Sequence, residues 1–154
     1  MPPLTLSIRP ACTADSPALA RLMAQLGYPA DEAELARRLD RVLAAPGHAL
    51  LVAAVDDQPV GLAHVALLPL LEDAGSAHLF ALVVDEAHRS LGIGGRLVAA
   101  IEAWASSAGA TRVVVRSNSI RTRTHAFYER LSYARTKMQL NLQKPLPPSA
   151  FAQA

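Results

Sequence analysis

The sequence predicts an α/β fold in a single domain. Three observations carry this: strand-like and helix-like stretches alternate along the chain, 154 residues suffice for one domain with a proper core, and a glycine-rich turn joins an apolar strand to an amphipathic helix. The predicted order is strand, two helices, three strands, helix, strand, helix, strand. In an open α/β sheet the turn leaving a strand's carboxyl end is where ligands bind.

Each element follows from its residues. "LTLSIRP" alternates apolar and polar side chains and reads as a strand up to Pro10. Thr13 or Asp15 caps a helix with Pro17 in its first turn, whose stripe of Leu19, Leu22, Met23 and Leu26 stops at Gly27. "DEAELARRLDRVLAA" is a second helix with Asp31 at its N-cap, Leu35, Leu39, Val42 and Leu43 on one face, and Pro46-Gly47 as its stop. "HALLVAAV", the turn "DDQP" and "VGLAHVALLPL" form a hairpin of two buried strands. "AHLFALVV" is a further strand, entered from the polar loop "EDAGS". Leu97, Ile101 and Trp104 recur at helical spacing in the next element, which Gly109 ends. "TRVVVRS" is a strand, "RTRTHAFYERLSY" a helix with Ala126, Phe127 and Leu131 on one face, and "ARTKMQLNLQ" a last strand by its alternation. The domain is expected to span residues 1–144, and residues 145–154, within "KPLPPSAFAQA", to form an extended or disordered tail.

Composition narrows the function. The chain is 51% hydrophobic, yet no apolar run approaches the roughly 18–20 residues of a membrane span. The start "MPPLTLSIRP" lacks the pattern of a secretory signal, and the single Cys12 forms no internal disulfide, so a cytoplasmic location is expected. A net charge of +2 without a long basic block gives no reason to expect nucleic acid. No cysteine–histidine spacing suggests a metal. Function must come from a site.

That site is the stretch "VVDEAHRSLGIGGRLVAAIEAW", residues 83–104, where Gly92, Gly94 and Gly95 open a helix. The first turn of a helix offers amides with no intrahelical partner and a partial positive charge, so it favours anions. Glycines without Cβ let a phosphate approach that backbone, with Arg89 and Arg96 alongside as donors. Two rival phosphate motifs fail on the letters. A P-loop needs a lysine after its glycines, and a dinucleotide fingerprint starting at Gly92 needs glycine where Leu97 stands.

What fits is Arg-x-x-Gly-x-Gly, filled by Arg89, Gly92 and Gly94, and here the sequence resembles the GNAT N-acetyltransferases. The resemblance covers most of the chain: the element order, the strand-loop-helix above, "RVVVRS", and "HAFYERLSYARTKMQL", which is similar to the family's F-Y-x-x-L-G-[FY] segment. "LARLMAQLGYPADEAELARRL" is similar to the opening helix pair of small-molecule members, including relatives of aminoglycoside acetyltransferases. Two departures stand out: Ser132 replaces the glycine of the late motif, and Leu91 replaces a small or basic residue in the loop.

The resemblance implies the GNAT fold: a mixed, largely antiparallel central sheet of about six to seven strands with flanking helices, splayed between the fourth and fifth strands. It implies acetyl-CoA as donor. Backbone groups at Leu82, Val83 and Val84 would pair with the pantetheine arm, and an N–H there would polarise the thioester carbonyl. Amides from Leu91, Gly92, Ile93, Gly94 and Gly95, with Arg89 and Arg96, would hold the pyrophosphate. Asn118 and His125 are further expected contacts of the cofactor. Tyr128, the tyrosine of the "FY" pair, would protonate the departing thiolate, a role that suits a phenol neutral at pH 7. His78 stands where some relatives carry a glutamate base, and an imidazole can accept the amine's proton. His64, mid-strand, reads as a hydrogen-bonded core residue. Tyr28, Asp31, Glu72 and Asp73 are the expected acceptor contacts, although capping alone explains Asp31.

The expected activity is therefore acetyl transfer from acetyl-CoA to a small-molecule primary amine in a ternary complex. A protein α-amino or lysine acetyltransferase, and a non-catalytic acyl-CoA-binding module, are the alternatives. A homodimer is expected from similar enzymes, with the final strand as its edge.

Overall fold

The computed structural model of the chain describes residues 5–116 and 122–148. The chain divides into two units, Met1–Arg116 and Ser117–Ala154, described in turn.

The first unit is a five-stranded sheet in sequence order: β1 (Leu6–Pro10), β2 (His48–Val55), β3 (Gln58–Leu68), β4 (Ser76–Val84) and β5 (Arg112–Val115). Neighbours through β4 pair antiparallel, and β4 pairs with β5 in parallel, Ser76–Leu79 against Arg112–Val115. The hairpin turn at Asp56 and Asp57 has both residues at positive φ, 48° and 66°. That is the twist a two-residue hairpin prefers, and aspartate tolerates it better than most side chains.

Helices α1 (Ser16–Leu26) and α2 (Glu32–Ala44) cover one face of this sheet. Leu19 and Leu22 from α1 and Leu35 and Leu39 from α2 pack with Ala11, Val52, Leu62 and Val83. Burying each such leucine is worth roughly 1.5–3 kcal/mol. Helix α3 (Ile93–Ser107) takes the other face, because Gly61, adjacent to Leu62 and so pointing oppositely, lies against Leu97 and Ile93. A Cβ at Gly61 would stand 3.0 Å from Leu97 Cδ1, so glycine is what lets α3 sit this close.

Local signals place the ends as the sequence predicts. Gly27 closes α1 at φ 105°, and Asp31 caps α2 by accepting the Glu34 N–H at 2.7 Å. Asp15 holds the N-cap position of α1, but its side chain bonds elsewhere. Its buried carboxylate takes both terminal nitrogens of Arg9 at 2.9 Å and the Cys12 N–H at 2.9 Å, fastening α1 to β1. Arg9, then the Cys12 N–H, hold Asp15 below the usual carboxylate range against the cost of burial.

The second unit contains α4 (Thr122–Arg130). The Tyr128 carbonyl accepts N–H groups from Leu131 and Tyr133, both at 3.0 Å, and Ser132 turns the chain at φ 73°. Ser132 thus adopts the left-handed conformation that a glycine would take at no steric cost.

One expectation is corrected. "ARTKMQLNLQ" forms no strand among the described residues: 134–143 have no ladder, and Met138, Leu140 and Leu142 are exposed. Alternation supplies two faces but no hydrogen-bonding neighbour, and a strand without one is not stable. The sheet therefore has five strands among the described residues, fewer than six or seven, and the final-strand edge expected to serve a homodimer is not formed there.

Candidate active site

The loop from β4 into α3 is built by short-range contacts. Beyond Val84, the Asp85 N–H continues the ladder to the Val60 carbonyl at 2.8 Å. Asp85 then accepts Gln25 Nε2 at 2.9 Å and lies 3.0 Å from His88 Nδ1, while Gln25 Oε1 accepts the Glu86 N–H at 3.0 Å. Gln25 first, and His88 second, hold the Asp85 carboxyl below its ordinary range. The end of β4 is thereby tied to α1.

Ser90 and Gly92 follow with φ of 66° and 79°. Two left-handed residues so close together turn the chain sharply into α3. Its N-cap is Gly92, with no side chain to satisfy the first turn. Arg96 is the first amide bonded within the helix, to the Gly92 carbonyl, so Ile93, Gly94 and Gly95 have no intrahelical acceptor. A Cβ at Gly92 or Gly95 would meet nothing within 4 Å, so the space beside both is open. Arg89 donates from Nε to the Val84 carbonyl at 3.1 Å and is exposed, as is Arg96.

Beside this turn the sheet has an open edge. β4 is paired to β5 only over Ser76–Leu79, and among the described residues Phe80–Val84 has no neighbour on that side. Leu82, Val83 and Val84 therefore combine a paired edge toward β3 with a free one. The ladder to β3 shifts register between His64 and Val65, placing the bulge of β4 at Phe80, where the free edge begins.

Three imidazoles share the face that carries α1 and α2. His48 and His78 both register with Ala66, one from each side, and His64 stands two residues along the same strand. His48 Nδ1 lies 2.9 Å from His64 Nε2. The half-exposed Phe80 ring is 5.4 Å from the His64 ring and 6.4 Å from that of His78, so it neighbours both. His78 is 4% exposed, and among the described residues neither ring nitrogen has a hydrogen-bond partner. Burial, then the nearby Arg116, push its pKa below the ordinary histidine value; burial, then His48, do the same for His64. Both rings are thereby held neutral at neutral pH. Among the described residues no three His, Cys, Asp or Glu side chains are placed to hold a metal ion.

The other expected site residues fall differently. The carboxylate of Asp73, 4% exposed, is taken up by the Gly75 N–H at 2.7 Å, the Ser76 hydroxyl and Arg112. Ser76 first, then the Gly75 N–H, lower its pKa to about 2. It braces β4 against β5 and is no free acceptor contact, which corrects that expectation. Asp31 is likewise used as a helix cap, whereas Tyr28 and Glu72 are exposed, and Leu91 projects from the loop at 66% exposure. In the second unit Tyr128 is buried, edge-on to Phe127 at 5.0 Å and to Tyr133 at 5.5 Å, and burial pushes its hydroxyl up to about 12. His125 is half-buried one turn earlier on α4. Asn118 lies outside the described residues.

His48 was not expected in any role. Counting outward from the two-residue turn at Asp56-Asp57 would set it opposite Val65, on the other face from His64; the bulge between Ala53 and Ala54 shifts the register to Ala66 and brings the two imidazoles together, so the turn alone gave no signal.

Known proteins agree with this architecture. Residues 17–133 match the family model described as "Acetyltransferase (GNAT) family". An aminoglycoside N(6')-acetyltransferase type 1 of Stenotrophomonas maltophilia is 30% identical over 149 residues, 94% of this chain and 96% of that protein. Among solved structures, a GNAT family acetyltransferase of Staphylococcus aureus superposes with a TM-score of 0.78 at 22% identity, over 91% of this chain and 99% of that one. The aminoglycoside N-acetyltransferase AAC(6')-Iy, solved in complex with CoA, gives 0.84 at 17% identity, over 95% and 99%. At these identities the two structures speak for the fold.

Proposed function

The chain belongs to the acetyltransferase (GNAT) family and is an acetyl-CoA-dependent N-acetyltransferase, and on that premise we propose that its acceptor is the primary amine of a small molecule. The observation that carries the reading is the uncapped start of α3 beside the free edge of β4. The relative from Stenotrophomonas maltophilia, by its name, acetylates aminoglycosides, which makes aminoglycosides the first acceptors to test.

The residues fit the donor. The open space at Gly92 and Gly95 admits a pyrophosphate against the amides of Ile93, Gly94 and Gly95. Arg89 and Arg96, both exposed, add charge-assisted donors at the rim. The free edge at Leu82–Val84 offers N–H and C=O groups at strand spacing, suited to the two amides of a pantetheine arm. Acetyl-CoA supplies the acetyl group as an activated thioester.

The protein's own groups do the rest. A backbone N–H on the free edge polarises the thioester carbonyl from a fixed position. The Tyr128 hydroxyl, neutral throughout the working range because burial pushes it to about 12, gives a proton to the departing sulfur. His78, buried with two unsatisfied ring nitrogens, hydrogen-bonds the acceptor amine and so recovers the partner that its burial otherwise denies it. Exposed Glu72 is left to attract a cationic acceptor.

The test is a thermal shift with acetyl-CoA, followed by thiol release across a panel of aminoglycosides, polyamines and other primary amines. Binding to the folded state raises the midpoint by mass action. A shift with turnover on one amine class supports the proposal, and a shift with turnover only on peptide amines would overturn the small-molecule acceptor. No shift at millimolar ligand would remove the pyrophosphate site itself.

A further inference from the structure

A primary amine is an ammonium ion at neutral pH, so something must take its proton before it can attack, and that proton must then leave the site. On the reading above His78 hydrogen-bonds the amine, but it is ill placed to dispose of a proton. It lies in the closed part of the sheet, flanked by Ala66 and Val114, with no hydrogen-bond partner among the described residues to pass a charge to. Arg116 and Arg112 further oppose an imidazolium there, with Asp73 alone favouring it.

His64 differs in both respects. It registers with Ala81, next to the bulge at Phe80 where the free edge of β4 begins. Its Nε2 already stands 2.9 Å from His48 Nδ1, and both rings are only half-buried, with His48 at the outer end of β2. Two imidazoles sharing a hydrogen bond form a directional wire, since each ring can accept at one nitrogen while releasing at the other.

We propose that His64 is the proton acceptor of the transfer and that His48 is its outlet to solvent. This rests on the acetyl-transfer reading above. The ammonium proton goes to His64 Nδ1 as the Nε2 proton of His64 passes to His48 Nδ1, and His48 releases its own Nε2 proton to water. The freed amine then forms the C–N bond as the C–S bond breaks. Its second proton balances the one that Tyr128 donates to sulfur, leaving an amide, a free thiol and one proton released. The only other titratable group acting on His64 among the described residues is His48 itself, whereas His78 feels Arg116, Asp73 and Arg112. His64 is thus a catalytic residue and His48 a positioning residue.

The experiment compares wild type with His64→Gln, His64→Asn, His48→Gln and His78→Gln, each first checked for an unchanged acetyl-CoA thermal shift. Ring-proton NMR titration of the unliganded protein provides a readout that needs no turnover. His64 and His48 are expected to titrate as a coupled pair, with His48→Gln altering the His64 curve. In kinetics, both His64 variants are expected to lose on the order of 10²-fold in kcat and the acidic limb of the pH–rate profile. His48→Gln should lower kcat several-fold, shift that limb and leave KM for acetyl-CoA unchanged, while His78→Gln should mainly raise KM for the amine. Independent titration of the two rings, or an acidic limb that survives in both His64 variants and vanishes in His78→Gln, would overturn the proposal. A wild type that binds no acetyl-CoA would instead overturn the acetyl-transfer reading.

Discussion

Arg112 Nε donates to Ser76 Oγ at 2.9 Å, and the two residues are register partners at the start of the short parallel pairing between β5 and β4. The same guanidinium reaches Asp73, so one buried hydroxyl and one enclosed carboxylate fix where β5 begins. Among the described residues four pairs join these strands, and they end where the free edge of β4 starts. The gap that the donor needs therefore depends on how firmly its closed end is pinned.

Arg112→Met removes that pin without shortening the side chain's apolar stem. It is expected to lower the melting temperature and to speed amide exchange along Arg112–Val115, because Asp73 keeps its enclosure but loses its cation. Asp73 is held at about 2, below its ordinary 3.8, so its stabilisation is fully present above that ordinary value and is lost as pH falls from there toward about 2. Acid titration of the melting temperature should show this loss in wild type and a weaker one in Arg112→Met. Equal acid sensitivity in the two would mean that Arg112 contributes nothing to Asp73.

Gly95→Ala separates folding from binding. The position is helical, has no positive φ and faces open space, so alanine is expected to raise unliganded stability by up to about 1 kcal/mol. The added methyl occupies the space proposed for the pyrophosphate, and losing one charge-assisted hydrogen bond of about 1.5–3 kcal/mol weakens acetyl-CoA roughly ten- to a hundredfold. Gly92→Ala, at φ 79°, should weaken binding and lower stability together. Melting curves and calorimetric titration of both variants check the pair. Gly95→Ala that binds as well as wild type would place the phosphate elsewhere.

How much of this was legible beforehand follows from the range of each interaction. Asp31, Gly27 and the Arg89–Gly92–Gly94 motif act within one turn of chain, and the letters alone place them. The hairpin at Asp56-Asp57 was legible for the same reason. Residues 134–143 misled because alternation describes a strand's faces and says nothing of its neighbours. Asp73 misled because its partner Arg112 lies 39 positions away, so a charged loop looked available when its carboxylate was already enclosed. The pairing of His48 with His64 needed the bulge between Ala53 and Ala54, and neither that bulge nor the one at Phe80 could be read from periodicity.

Tyr128→Phe keeps the ring that packs against Phe127 and Tyr133 and removes only the hydroxyl. Acetyl-CoA affinity is expected to be unchanged and kcat to fall on the order of 10²-fold, since the thiolate loses its proton donor. Because burial places the phenol at about 12, wild type should show no basic limb from this group below about pH 11. Pre-steady-state thiol release in the two proteins tests this. Unchanged kcat in Tyr128→Phe would take the tyrosine out of the reaction.

The imidazole face also predicts how folding responds to mild acid. His64 and His78 lie below their ordinary 6.5, in both cases chiefly through burial, while the unfolded chain carries them near that value. Below about pH 6.5 the unfolded state therefore binds more protons than the folded one, and stability falls as pH drops. The fall ends once pH has passed below the folded values, because both states are then protonated. The carboxylates held low act mainly below this window, since the ordinary value is 3.8 for Asp15, Asp73 and Asp85 and 4.5 for Glu34. Urea midpoints from about pH 8 to about pH 5 should be level at first and then decline, and His78→Gln should flatten the decline. A wild-type midpoint that stays level throughout would mean that both rings are protonated as easily in the folded protein as outside it, and would overturn the prediction.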